Sequence, residues 1–168
     1  MNCYATNRNW SDRFLPEIKQ LIGGHLLETS PDPFDHMEAT DLMMLDARDM
    51  RVAARVRPGY ARRYPHQFTV RSAVASGRQT ELSKIVNGNG DWMFYGHSHA
   101  DQTRLESWSL IDLRAFRAGL IRNSVNQAQI VMGDQRNPDG TRFKWFDVRS
   151  FPADPPLVVA SSGAASEH

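Results

Sequence analysis

Residues 38–72 constrain this chain most, because they fall into three short stretches that read as successive β-strands. Arg51–Arg57 (RVAARVR) alternates: Arg51, Ala53, Arg55 and Arg57 share one face of a strand, Val52, Ala54 and Val56 the other. His66–Ser72 (HQFTVRS) repeats the pattern, with Phe68 and Val70 on one face and Thr69 and Arg71 on the other. Ahead of both, Glu38–Asp46 (EATDLMMLD) carries Asp41 just before the apolar run Leu42–Leu45. Stacked as neighbours, three such strands gather Asp41, Arg55, Arg57 and Arg71 at one patch, a place to hold a phosphodiester.

The charge pattern points the same way. The net charge is only +1, but 17 of the 20 basic residues are arginine, and residues 48–78 hold eight of these against a single acid, Asp49. A guanidinium is a planar fork that grips phosphate with two hydrogen bonds, so an arginine-rich strand face suits a nucleic-acid backbone. A solvated arginine face is the alternative reading. One cysteine, Cys3, excludes an internal disulfide and any multi-cysteine zinc site. The opening MNCYATNRNWSDR has no apolar signal core, and no run approaches a membrane span, so a soluble, cytoplasmic protein without membrane contact is expected. The length fits a single α/β domain over 1–149. From Ser150 the chain runs through Pro152, Pro155 and Pro156 into SSGAASEH, which predicts a disordered tail over 150–168.

Helical signals flank the strands. Phe14, Leu15, Ile18, Leu21 and Ile22 are spaced for one helix face closed by Gly23-Gly24, with Pro16 either opening the helix or kinking it. Ser76–Gln79 resembles a capping box before a helix over Thr80–Val86, ended by Asn87-Gly88. Asp91–Gly96 and Ser107–Ile111 read as strands, and Asp112 caps a helix over Leu113–Arg122. Ala128–Met132 and Arg142–Val148 form a hairpin around Asn-Pro-Asp-Gly at 137–140.

Several local motifs carry chemistry on paper. Gly96–Asp101 (GHSHAD) places His97 and His99 two apart and resembles segments of metallo-β-lactamase-like hydrolases and metallophosphoesterases. Both families require further histidines or acids that this chain lacks, and zinc needs three or four ligands, so a turn after a strand is the simpler reading. No serine sits in a Gly-x-Ser-x-Gly elbow, and Asn87–Asp91 (NGNGD) lacks the spacing and lysine of a phosphate loop. Glu81 and Lys84 are helix neighbours, either a solvated ion pair or the edge of a site. Trp92, Phe94 and Tyr95 either stack on bases or fill the core.

The order helix, three strands, helix, strand, with Glu17 on the first helix and Thr-Asp-Leu at a strand, resembles the PD-(D/E)XK nuclease-like core. The segments DRFLPEIKQLIG, EATDLMML, RVAARVR, QFTVRS, TELSKI, GDWMFYGH and SLIDLRAFR are also similar to a group of phage and prophage proteins of restriction-endonuclease-like fold, over roughly residues 10–122. The resemblance implies an α/β, restriction-endonuclease-like core with C-terminal strand and helix additions. It implies magnesium held by Asp41 and Glu17, as the family's motif acids hold it. The third motif departs from the family: where it has Asp/Glu-x-Lys, this chain has Arg55-Val56-Arg57. Neither arginine can ligate a metal or serve as a base, so a second acid ligand would come from elsewhere, with Glu81 or Asp91 nearest.

The expectation is therefore a metal-dependent nuclease-like protein acting on DNA or RNA. Asp41, Glu17, Arg55 and Arg57 form the catalytic set, and Arg62, Arg63, Arg71, Arg78 and Lys84 track the backbone. The alternative is a catalytically inactive descendant that binds nucleic acid or a host protein, for example as a phage counter-defence factor. An Asp41 that merely pairs with Arg55 or Arg57 inside the sheet is a third, structural reading.

Overall fold

Pro16 opens the first helix rather than breaking it. Residues 10–12 make an initial helical turn, and α1 (Leu15–Leu27) follows, with Pro16 in its first turn, where a missing N–H costs nothing. The computed structural model describes residues 10–27, 51–73 and 77–162, the side chains of 24–27 and 62 excepted. The expected strand at 38–46, with Asp41, lies outside them. After α1 come β1 (Val52–Arg57), a 3-10 turn (Gly59–Arg63), β2 (Gln67–Ala73), α2 (Glu81–Val86), β3 (Trp92–Ser98) and β4 (Leu105–Asp112). Then follow α3 (Leu113–Ser124), β5 (Met132–Arg136), β6 (Arg142–Asp147), a second 3-10 turn (Val148–Ser150) and β7 (Val158–Ser161).

The architecture is mixed α/β with two sheets. The first has the order β1-β3-β4-β7, with β1 parallel to β3 and the other pairs antiparallel. The second, β2-β6-β5, is antiparallel throughout. Both faces of the first sheet are covered, as a parallel pair requires. Val56, Phe94, Trp108 and Leu110 pack on one side against Phe14, Ile18 and Ile22 of α1 and its preceding turn. Met93, Tyr95 and Ile111 pack on the other against Phe68, Val70 and Phe146 of the second sheet and Phe116 of α3. Phe68 stacks on Phe146 at 5.3 Å, and Phe116 meets Phe146 edge-on at 5.0 Å, favourable geometries for aromatic pairs.

Several sequence expectations shift. β1 and β2, expected side by side, belong to different sheets. Pro58 ends β1, and Gly59 then brings the chain so close to β3 that a Cβ there would lie 2.7 Å from the Ser98 carbonyl oxygen. That close approach carries the chain out of the plane of the first sheet. α1 continues past Gly23-Gly24 to Leu27, since glycine weakens a helix by only about 1 kcal/mol relative to alanine. The cap of α2 is Thr80, whose side chain accepts from Ser83 N at 3.2 Å; Ser76 lies outside the described residues. Asp112 caps α3 as expected, accepting from the backbone N–H groups of Arg114 and Ala115. The first arm of the hairpin is β5 rather than 128–132, and its residues are mostly exposed, so no buried face marks it in the sequence. The disordered tail expected from Ser150 is also corrected over residues 150–162. Phe151 and Leu157 are buried in the core, and Val158–Ser161 pairs with β4.

Candidate functional site

Alternation along β1 turns Arg55 and Arg57 away from α1, toward the second sheet. In the parallel register Arg55 sits beside Tyr95 and Arg57 beside His97, so both guanidiniums start from the face that buries Met93 and Tyr95. Their surroundings differ. Arg55 Nη1 donates to Glu81 Oε2 at 2.6 Å, with the side chains only 16% and 27% exposed. The same Glu81 oxygen accepts from the backbone N–H of Arg71 at 3.0 Å. Glu81, on the first turn of α2, thus ties β1 of one sheet to β2 of the other.

Arg57 has no such acid among the described residues. Its guanidinium lies 5.7 Å over the ring of Phe143; its Nε is buried with no hydrogen-bond partner, as is that of Arg55. Arg57 lines a cleft of about 400 Å³ between the end of β1, the 3-10 turn and the second sheet. The turn contributes Tyr60, Ala61 and Arg63, followed by Tyr64. Tyr60 is 69% exposed and Tyr64 53%, and Arg63 stands 5.6 Å from the Tyr64 ring. The second sheet contributes Gln67 and Thr69 from β2, Gln135 from β5, and Phe143 and Trp145 from β6, with Asn137 beyond β5. Tyr95 reaches the floor, its hydroxyl sharing a 3.2 Å hydrogen bond with Thr69 Oγ1. Among the described residues, no acidic residue lines the cleft. Two arginines, exposed aromatic rings and three carboxamides make a lining suited to an anion that also carries a flat ring.

Trp145 is fixed in that wall by its cross-strand partner. It pairs with Gly133 of β5, and a Cβ on Gly133 would lie 2.6 Å from three atoms of the indole. The ring therefore lies across the glycine backbone, in room that any other residue would fill.

The other expected site residues disperse. Glu17 Oε2 accepts from the Leu105 N–H at 3.0 Å, holding the start of β4 on the α1 side of the first sheet. It is thus two strands, about 10 Å, from Arg57 and on the opposite face. Of the two carboxylates assigned to magnesium, Asp41 lies outside the described residues, and no group of three potential metal ligands occurs among the described ones. Asp91 accepts from the Arg51 N–H at 3.0 Å and lies 3.8 Å from Arg114, so it fastens β1 to the start of β3. Arg71 shares a face of β2 with Thr69 and pairs in register with Phe143. Its charge helps hold Asp139 below the ordinary carboxylate range, an effect led by hydrogen bonds from Thr141. Arg62 belongs to the 3-10 turn, while Arg78 and Lys84 are exposed before and on α2.

His97 is buried, 3.1 Å from Ser107 Oγ, and His99 lies 3.1 Å from Asp101 in the β3–β4 turn. Asp101 is held down to a pKa of about 2, chiefly by the backbone N–H of Thr103 and then by its hydroxyl. Hydrogen bonding to the charged form explains that shift. Phe94 fills the core beneath α1, stacked on Trp108 at 5.5 Å.

Compared with protein-family models, curated proteins and solved structures, the chain matches none. No described helix is long and apolar enough to cross a membrane. Sequence reasoning missed Tyr60, Tyr64, Phe143 and Trp145. The available signal was Gly59–Tyr64 (GYARRY), in which two tyrosines bracket two arginines just after the arginine strand.

Proposed function

We propose that this protein binds nucleic acid, with the cleft around Arg57 as the contact site. The observation that carries the reading is the pairing, in one cleft with no acid among its described lining residues, of Arg57 and Arg63 with exposed Tyr60 and Tyr64. Arginines neutralise phosphates and supply sequence-independent affinity, while aromatic rings hold bases. The restriction-endonuclease-like core remains the architectural premise of the reading. α1, β1, β2, α2 and β3 come in the chain order the resemblance implies, with 38–46 outside the described residues, although β1 and β2 lie in different sheets.

Cleavage is the further step in the same reading, and it rests on Asp41. Glu17, committed to Leu105 on the other face of the sheet, is too far to share a phosphate with Arg57. The binding reading is tested by titrating a labelled oligonucleotide at about 50 mM and 200 mM salt. Two phosphate contacts predict a slope of log affinity against log salt of about −1.4 for a single strand and about −1.8 for a duplex. No affinity at low salt for DNA or RNA overturns the proposal and leaves a host protein as the partner to seek.

A further inference from the structure

The cleft does more than present charge, and its shape separates single-stranded from duplex ligands. We infer that it takes one unpaired nucleotide of a single strand, the base against the Trp145–Tyr60 side and its phosphate at Arg57 and Arg63. This rests on the nucleic-acid reading above and sharpens it.

Volume is the first ground. About 400 Å³ accommodates a small-molecule-sized group, room for about one nucleotide, whereas a duplex keeps its bases stacked inside and presents only its backbone to such an opening. The second is the placement of the rings. Tyr60 stays 69% exposed on a 3-10 turn whose backbone is pinned against β3 at Gly59, so an aromatic surface is held in water at the mouth. Trp145 is held flat across Gly133 and forms part of the wall, so little ordering is left to the moment of binding. A protein that reads only duplex phosphates has no use for such rings, but every unpaired base has a π-face to lay on them. The third is polar chemistry: Gln67 and Gln135 bring carboxamides to the same wall, each with two donors and an acceptor able to meet a base edge that pairing would otherwise occupy.

Arg57 completes the arrangement. Its guanidinium lies over the Phe143 ring and meets no acid among the described residues, so its charge is available to a phosphate. Arg55, two residues earlier, is held by Glu81 and stays out of the contact.

The test compares one labelled sequence as single-stranded RNA, single-stranded DNA and annealed duplex, by anisotropy and by tryptophan fluorescence. The inference predicts affinity for RNA or DNA single strands at least about tenfold above the duplex, with quenching that Trp145→Phe reduces. Tyr60→Ala, at an exposed position that spares the core, should weaken single-strand binding about fivefold or more, as loss of one stacked base does. Equal or tighter duplex binding overturns the single-strand assignment while leaving the nucleic-acid reading standing. Single-strand preference undiminished by Tyr60→Ala, with quenching undiminished by Trp145→Phe, overturns the placement of the base. Absence of binding to all three ligands removes both readings.

Discussion

Arg55 and Arg57 leave the same face of β1 two residues apart, and the protein treats them in opposite ways. Arg55 meets Glu81, which also takes the Arg71 backbone N–H, so three elements are tied at one carboxylate oxygen. Arg57 meets an aromatic ring and an open cleft; the Nε of both arginines is buried and unpaired, so the difference lies in the Glu81 contact. The seam between the two sheets thus has a closed end that holds the fold and an open end that offers a cation to a ligand. Two identical side chains in one alternating strand acquire different tasks from what stands opposite them. A partly buried ion pair is costly to break, while a guanidinium with no acid among the described residues is available to an arriving anion.

The sharpest way to break the comparison is Glu81→Ala. It leaves Arg55 partly buried and unpaired and strands the Arg71 N–H, so unfolding in urea should show a loss of about 3 kcal/mol. A loss under about 1 kcal/mol would mean that Arg55 is no more locked than Arg57. Gly59→Val comes next. Its Cβ would press on the Ser98 carbonyl oxygen, costing about 2 kcal/mol and displacing the turn that carries Tyr60 and Arg63. Thermal melts and oligonucleotide titration should therefore worsen together. Arg57→Ala should change the unfolding free energy by no more than about 1 kcal/mol, the scale of one cation–ring contact, because no ion pair is lost. The smallest effect lies away from the seam, in the β3–β4 turn. Asp101 has its pKa lowered from 3.8 to about 2, so its contribution is complete above pH 3.8 and disappears as pH falls through about 2. The Thr103 amide resonance, followed by NMR, should report that loss of order, and Asp101→Asn should abolish the pH dependence.

Much of the layering was legible because it follows from periodicity. The two-residue alternation of Arg51–Arg57 and His66–Ser72 gave both strands and which residues share a face; Phe68 and Val70 are buried together, but on β1 only Val56 is buried while Val52 and Ala54 are exposed. The helix-face spacing of Phe14, Ile18 and Ile22 likewise identified the side of α1 that is buried. Sheet membership was not legible. Nothing in the residues of β1 and β2 says that Gly59 will dock on Ser98 and send the next strand into a second sheet. The ordered segment after Ser150 was hidden by its prolines, since Phe151 and Leu157 are too far apart to show a period. For the site, the arginines of β1 were visible as charge, but which one is neutralised depends on Glu81, a contact made 26 residues along the chain. Tyr60 and Trp145 read as ordinary aromatics until the turn and the β5–β6 pairing place them around one cleft.

The most direct measurement of the central claim is oligonucleotide affinity of Arg57→Ala beside the wild type, at low and physiological salt, with melting curves for both. The account predicts a folded variant that binds at least about tenfold more weakly, with a salt slope shallower by about 0.7–0.9. Unchanged affinity and slope in a variant that melts like the wild type would contradict it, and would move the nucleic-acid contact away from the open end of the seam.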